Sequence, residues 1–305
     1  MIRAPIGDRE FWDKWTSFDK ERAVKEWQRL SIPSANPTYR PQFAFDTALG
    51  HAKLVLRRYS QGYPIRELGQ YLSSLLDAWE LSNRLADELN AQLKPGKGWD
   101  HRHLLTAPLV SDDPRGHSDP RAWVFRLSNL NHYNWCFWLV GLALALEIPD
   151  EQWLRLLTLI GGEGEDELLD RVIASRQPAR RISTELLHPK PYARLLKTVN
   201  APEEQQAALL RDFVDHWYVE LKRKGKDELW WYIYGDPEKH PLEKGSYFGR
   251  WCIEAVAAVK SSGLDDSLCL GHEHYPGDLL RPDGPTTHPV RQEKKKGWLS
   301  KVFGK

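Results

Sequence analysis

Residues 247–281, YFGRWCIEAVAAVKSSGLDDSLCLGHEHYPGDLLR, constrain the fold of this chain more than any other stretch. From Tyr247 to Val259, Phe248, Trp251, Cys252, Ala255, Val256 and Val259 recur at three- and four-residue steps, a broad apolar stripe on one predicted helix. Ala255, Ala257 and Ala258 keep that helix slim, so a neighbouring helix can approach closely. Glu254 is the exception, a carboxylate on an element that otherwise belongs inside. Buried, it needs a partner, because an isolated ion there would cost several kcal/mol or take up a proton. Gly263 is placed to stop the helix, Asp265 or Asp266 to cap whatever follows Leu264, and Pro276 to break the chain before Asp278. An element too apolar for the surface, followed by a tight Asp- and Pro-punctuated segment, is the expected centre of an α-helical protein.

The rest of the chain agrees with an all-α fold. Helical spacing is read over residues 8–30, 42–60 and from Leu68 towards Leu89, with Ser31–Pro41 a loop and Pro64 opening the third helix. Lys94–Pro120, dense in Pro, Gly, Asp and His, is the expected junction between two parts. This gives an N-terminal helical domain over 1–115, a larger C-terminal helical domain over 116–290, and a basic tail over 291–305. Helices are expected again at Ala122–Leu130 and Trp135–Leu146, after Pro149, through Leu168–Ile173, and over 203–223. Pro178, Pro189 and Pro191 bracket a less regular patch before the last of these. No stretch alternates with the period of a strand.

Among 305 residues there are fourteen Trp, large groups suited to filling a helical core, and three Cys, of which Cys136 and Cys252 lie in apolar helical stretches. Reduced thiols in the cytoplasm are expected. The N-terminal residues lack the apolar core of a secretory signal, and the longest apolar run, Trp135–Ile148, falls short of the roughly 20 residues of a membrane span. The last fifteen residues carry a surplus of five positive charges, which leaves about −4 on the remainder of a chain whose net charge is +1. A mildly acidic body argues against direct binding to nucleic acid.

Each candidate for chemistry has a plainer explanation. His272-Glu273-His274 suggests a metal site, but its histidines are two apart rather than four, and His101 and His103 repeat that spacing in the junction. Asp265, Asp266 and Glu254 could serve acid–base or Mg²⁺ chemistry, yet no nucleophile or phosphate-binding Lys or Arg accompanies them; caps and a buried ion pair are expected instead. Gly161-Gly162-Glu163-Gly164 lacks the Lys of a phosphate loop, and its acids would repel phosphate. The tail, with Trp298 and Phe303 among lysines, suits a disordered segment better than a membrane anchor.

The C-terminal stretch resembles the two-domain PoNi-type immunity proteins, which protect bacteria against PoNe-type nuclease toxins, often delivered by type VI secretion. The likeness rests on Tyr247, Gly249, Trp251 and Glu254-Ala255, on Leu264-Asp265-Asp266-Ser267, and on His274-Tyr275-Pro276 with Asp278-Leu279. Weaker points are Trp217-Tyr218, Gly164–Ile173, and Arg58-Tyr59 to Gly62 with Ile65 and Leu68. Arg250 departs from the pattern, which leads one to expect an aromatic residue there.

The resemblance implies an all-α, cytoplasmic non-enzyme without cofactor or metal, whose partner is a cognate nuclease toxin. A nuclease cleft is basic, so an acidic surface complements it. Glu163, Glu165, Asp166 and Glu167, the densest acidic cluster and placed in a turn, are the expected toxin contacts. Tyr247, Trp251, Glu254, Asp265, Asp266, Tyr275, Pro276 and Asp278 are expected to be structural. Two other readings stand beside this one: a metal-dependent hydrolase using His272, His274 and the central carboxylates, and a helical scaffold or adaptor using the basic tail.

Overall fold

The computed structural model describes residues 1–33, 39–92 and 125–291. The junction at 94–120 with His101 and His103, part of the Ser31–Pro41 loop, and the tail beyond Arg291 lie outside the described residues. Within them the chain is all-α, with no strand.

Three long helices come first: α1 (Arg9–Leu30), α2 (Arg40–Gln61) and α3 (Gln70–Gln92). Asp8 caps α1 by accepting the Phe11 N–H at 2.8 Å. Gly62 closes α2 in a left-handed conformation that brings its Cα against the chain start: a Cβ there would lie 1.7 Å from the Met1 carbonyl oxygen. α2 packs on both α1 and α3, and Phe45 meets Trp79 edge-on across the α2–α3 seam, their centroids 5.5 Å apart.

The second set of helices forms around α4 (Leu130–Ala145). No amphipathic pattern orients α4, because every residue from Tyr133 to Ala145 is buried. It is followed by α5 (Asp150–Ile160), α6 (Glu167–Ala174), α7 (Pro189–Asn200), α8 (Glu203–Glu220) and α9 (Ile253–Ser262). α9 packs directly on α4, and the close approach depends on small residues at the crossing. A Cβ on Gly141 would come within 2.7 Å of Ile253 Cγ2 and 3.1 Å of Ala257 Cβ. The buried side chains of both sets form one continuous core.

Three expectations need correction. The central helix starts at Ile253, not Tyr247. Gly249 has φ +106°, and its Cβ position is occupied by the Trp251 indole nitrogen and Ser60 Oγ. Tertiary partners satisfy the backbone here: Ser60 Oγ donates to Phe248 O at 2.9 Å, and Cys252 N donates to His274 O at 2.8 Å. Secondly, residues 125–129, expected in a helix over Ala122–Leu130, are not helical; α4 begins at Leu130 because Asn129 Oδ1 accepts the N–H groups of Asn131 and His132. Thirdly, a helix that was not expected, α7, begins at the end of the irregular patch bracketed by Pro178 and Pro191; Pro189 and Pro191 lie in its first turn, where a missing N–H costs nothing and the backbone at Lys190 is still non-helical.

Candidate functional site

The C-terminal motif is built from buried carboxylates. Glu254, on α9, is fully buried, and among the described residues its partners are neutral donors, which corrects the expected ion pair. Its Oε1 accepts from Tyr192 Oη (2.8 Å), Trp217 Nε1 (3.2 Å) and Asn134 Nδ2 (3.4 Å). Trp138, on α4, also lies against this carboxylate, and its hydrogen bond is one of those that favour the charged form. Burial pushes the Glu254 pKa up to about 7, against the hydrogen bonds that hold it down.

Asp266 accepts from Tyr275 Oη (2.6 Å) and is paired with the Arg281 guanidinium, while exposed Asp265 accepts from Ser267 N at 2.9 Å. Pro276 is buried and leads into the short turn Gly277–Leu280. There Asp278 joins the two ends of the structure. It accepts from Arg3 Nε (2.6 Å), Thr286 Oγ1 (2.8 Å) and Thr287 N (2.6 Å). Burial would raise its pKa, but these donors together bring it below the ordinary carboxylate value. Arg3 also donates to the carbonyls of Tyr59 and Tyr63, Tyr59 Oη bonds His288 Nε2 at 2.7 Å, and Trp251 Nε1 donates to Ser60 Oγ at 2.8 Å. Tyr247 is buried nearby, and Arg250 lies with its guanidinium 4.7 Å from the Tyr218 ring centroid and 5.8 Å from that of Tyr247. A flat cation on aromatic faces thus fills the position where an aromatic residue was expected.

The acidic turn between α5 and α6 divides into an inner and an outer set. Asp166 is fully buried, so it is not a surface contact as expected. It caps α6 through Leu169 N (2.9 Å), and it accepts from Tyr133 Oη (3.0 Å) and Leu187 N (2.9 Å). Asp170, which the sequence reading did not single out, is equally buried. It pairs with Arg180 Nε at 2.7 Å and accepts the N–H groups of Gly164 and Ser183, each at 3.1 Å. The two inner carboxylates therefore fasten the turn to the loop running from Gln177 to His188. Outside, Glu163 is exposed and accepts Arg181 N at 2.8 Å, Glu165 is half-buried, and Glu167 pairs with Arg171 at 2.5 Å. Gly164 suits its left-handed φ of +74°, a conformation in which other side chains are strained, and the Arg181 side chain covers it.

The two C-terminal histidines point at different partners. His272 Nε2 lies 3.2 Å from Asp215, and its Nδ1 accepts His274 N. His274 Nδ1 faces Arg250 O at 3.1 Å, and burial takes this histidine's pKa down to about 4. Among the described residues no three His, Cys, Asp or Glu side chains are grouped to hold a metal, and no helix is long and apolar enough to cross a membrane.

Comparison with known proteins agrees over nearly the whole length. Residues 3–158 match the N-terminal family model of PoNe immunity proteins (PoNi), and residues 164–279 match the C-terminal one. The fold is similar to the crystal structure of protein PA2201 from Pseudomonas aeruginosa, with a TM-score of 0.62 at 18% identity over 92% of this chain and 91% of that one. No curated protein matches. The chain belongs to the PoNe immunity proteins (PoNi), a family of inhibitors of nuclease toxins and not of enzymes.

Proposed function

We propose that this protein neutralises its cognate nuclease toxin by binding it directly in the cytoplasm, and that the toxin is a type VI secretion effector. The family assignment carries the reading, and the charge distribution supports it. The part of the chain preceding the basic tail holds a net negative charge, whereas a nuclease must present positive charge to DNA. Charges complementary to that surface speed encounter and disfavour wrong partners. The outer acids of the α5–α6 turn, Glu163 and Glu165 with Glu167 at the helix start, are one proposed contact. Asp166 and Asp170 hold the turn in a single arrangement, which lowers the ordering cost of binding. The parts over 1–115 and 116–290 act as one body in this reading, since their side chains share a core.

The test is co-expression with the nuclease encoded beside it. Cells making both proteins are expected to survive, and the two are expected to co-purify one to one. The double variant Glu163→Lys/Glu165→Lys is expected to weaken the complex about tenfold or more, in line with losses at charged contacts. Killing of cells that hold both proteins in quantity would sink direct neutralisation for that pair.

A further inference from the structure

The turn Ser267–Cys269 is fixed on every side yet shows leucines to solvent. Asp265 accepts both Ser267 N and Ser267 Oγ, and Asp266 is bound by Tyr275 and Arg281. Cys269 is fully buried, and its N–H donates to the Asp266 carbonyl at 2.8 Å. From α8, Arg211 Nη1 donates to Leu268 O at 2.9 Å. Held in this way, Leu268 is 51% exposed and Leu270 38%. Along α8, which packs against the turn, Val219 is 68% exposed. The charges beside these aliphatics are mostly negative. Asp215, Asp265 and Glu273 are exposed there, against Arg211, which is itself engaged with Asp215 at 2.9 Å.

A rigid turn with exposed aliphatics inside an acidic rim has the build of an interface centre: apolar anchors that lose water on contact, ringed by charge. We propose that the Leu268–Leu270 turn and the adjoining face of α8 form a docking surface for the cognate nuclease toxin. Leu268 and Leu270 make the dry contact, and Asp215, Asp265 and Glu273 face the lysines and arginines with which the nuclease holds DNA. This rests on the direct-binding reading and adds an apolar anchor distinct from the acidic turn at Glu163. The choice of occupant follows from charge, because a DNA-cleaving partner is basic where it meets phosphate.

The experiment measures the affinity of the full chain for the purified toxin by titration calorimetry. Leu268→Asp/Leu270→Asp is expected to weaken binding at least tenfold with an unchanged melting temperature, whereas Leu154→Asp, at an exposed leucine on α5, is expected to leave it unchanged. A wild-type complex that the turn variant forms equally well overturns the docking surface and leaves direct binding standing. Absence of any wild-type complex overturns both. Two further results would assign the face to another occupant and also reject the proposal. One is a wild-type dimer that becomes monomeric in the turn variant. The other is faster amide exchange at 267–270 when residues 292–305 are deleted.

Discussion

A carboxylate surrounded by neutral donors responds to pH differently from one in an ion pair. The folded-state pKa of Glu254, about 7, lies above the unfolded value of 4.5, so the folded protein binds more protons between them. Stability therefore falls as pH rises through that window, by about 3 kcal/mol if the full shift acts. The buried histidines, with pKa lowered to about 4, give the opposite slope in both proteins, so the stability of the wild type relative to Glu254→Gln is expected to fall by this amount between denaturant unfolding at pH 5 and at pH 8. An equal pH dependence in both would place the titration elsewhere. The burial of Glu254 was legible in its setting among Ile253, Ala255 and Val256. Its partners were not, because Asn134, Tyr192 and Trp217 come from three other helices that only the fold brings together. The same limit separates Asp166 from its neighbours. Four acids within five residues look alike in sequence, and only the α6 cap and the Tyr133 hydroxyl show which one turns inward.

At the scale of elements, periodicity located α1, α2, α3, α5, α6 and α8, whose one-sided apolar faces leave a pattern. It failed where tertiary contacts decide the outcome. α9 loses its expected first turns to the Gly249 conformation and to hydrogen bonds from Ser60 and to His274. α7 was hidden by prolines that begin a helix as readily as they end one. The clasp between the N-terminal segment and the 277–291 strap is also invisible in sequence, since Arg3 and Asp278 are 275 positions apart. Both side chains are largely buried, 11% and 3% exposed, so removing one leaves the other charge without compensation. Asp278→Ala is expected to cost about 3–5 kcal/mol in denaturant unfolding. Because the folded-state pKa of Asp278 is lowered, its contribution is present above the unfolded value and disappears as pH falls through the folded one. A loss under about 1 kcal/mol would show that the threonines and the strap hold without it.

For the whole molecule, the family and the all-α architecture were legible because the C-terminal motif is dense in residues with fixed structural duties. The division at about 115 falls on residues outside the description, while the two family models meet between 158 and 164. If the acidic body steers the toxin, the association rate is expected to fall several-fold or more between 0.05 and 1 M salt, as screening shortens to roughly 3 Å, while dissociation changes less. Stopped-flow mixing checks this, and a rate indifferent to salt would remove steering from the account. The clasp has a consequence for timing inside the cell. During translation the amino-terminal segment can settle on α2 early, through Arg3 and Ala4, but the Arg3 guanidinium lacks its carboxylate until the strap carrying Asp278, 275 positions later, has left the ribosome. The ion pair that ties the two sets of helices together is thus among the last contacts a growing chain can make, so the early helices must hold their own arrangement while they wait for it.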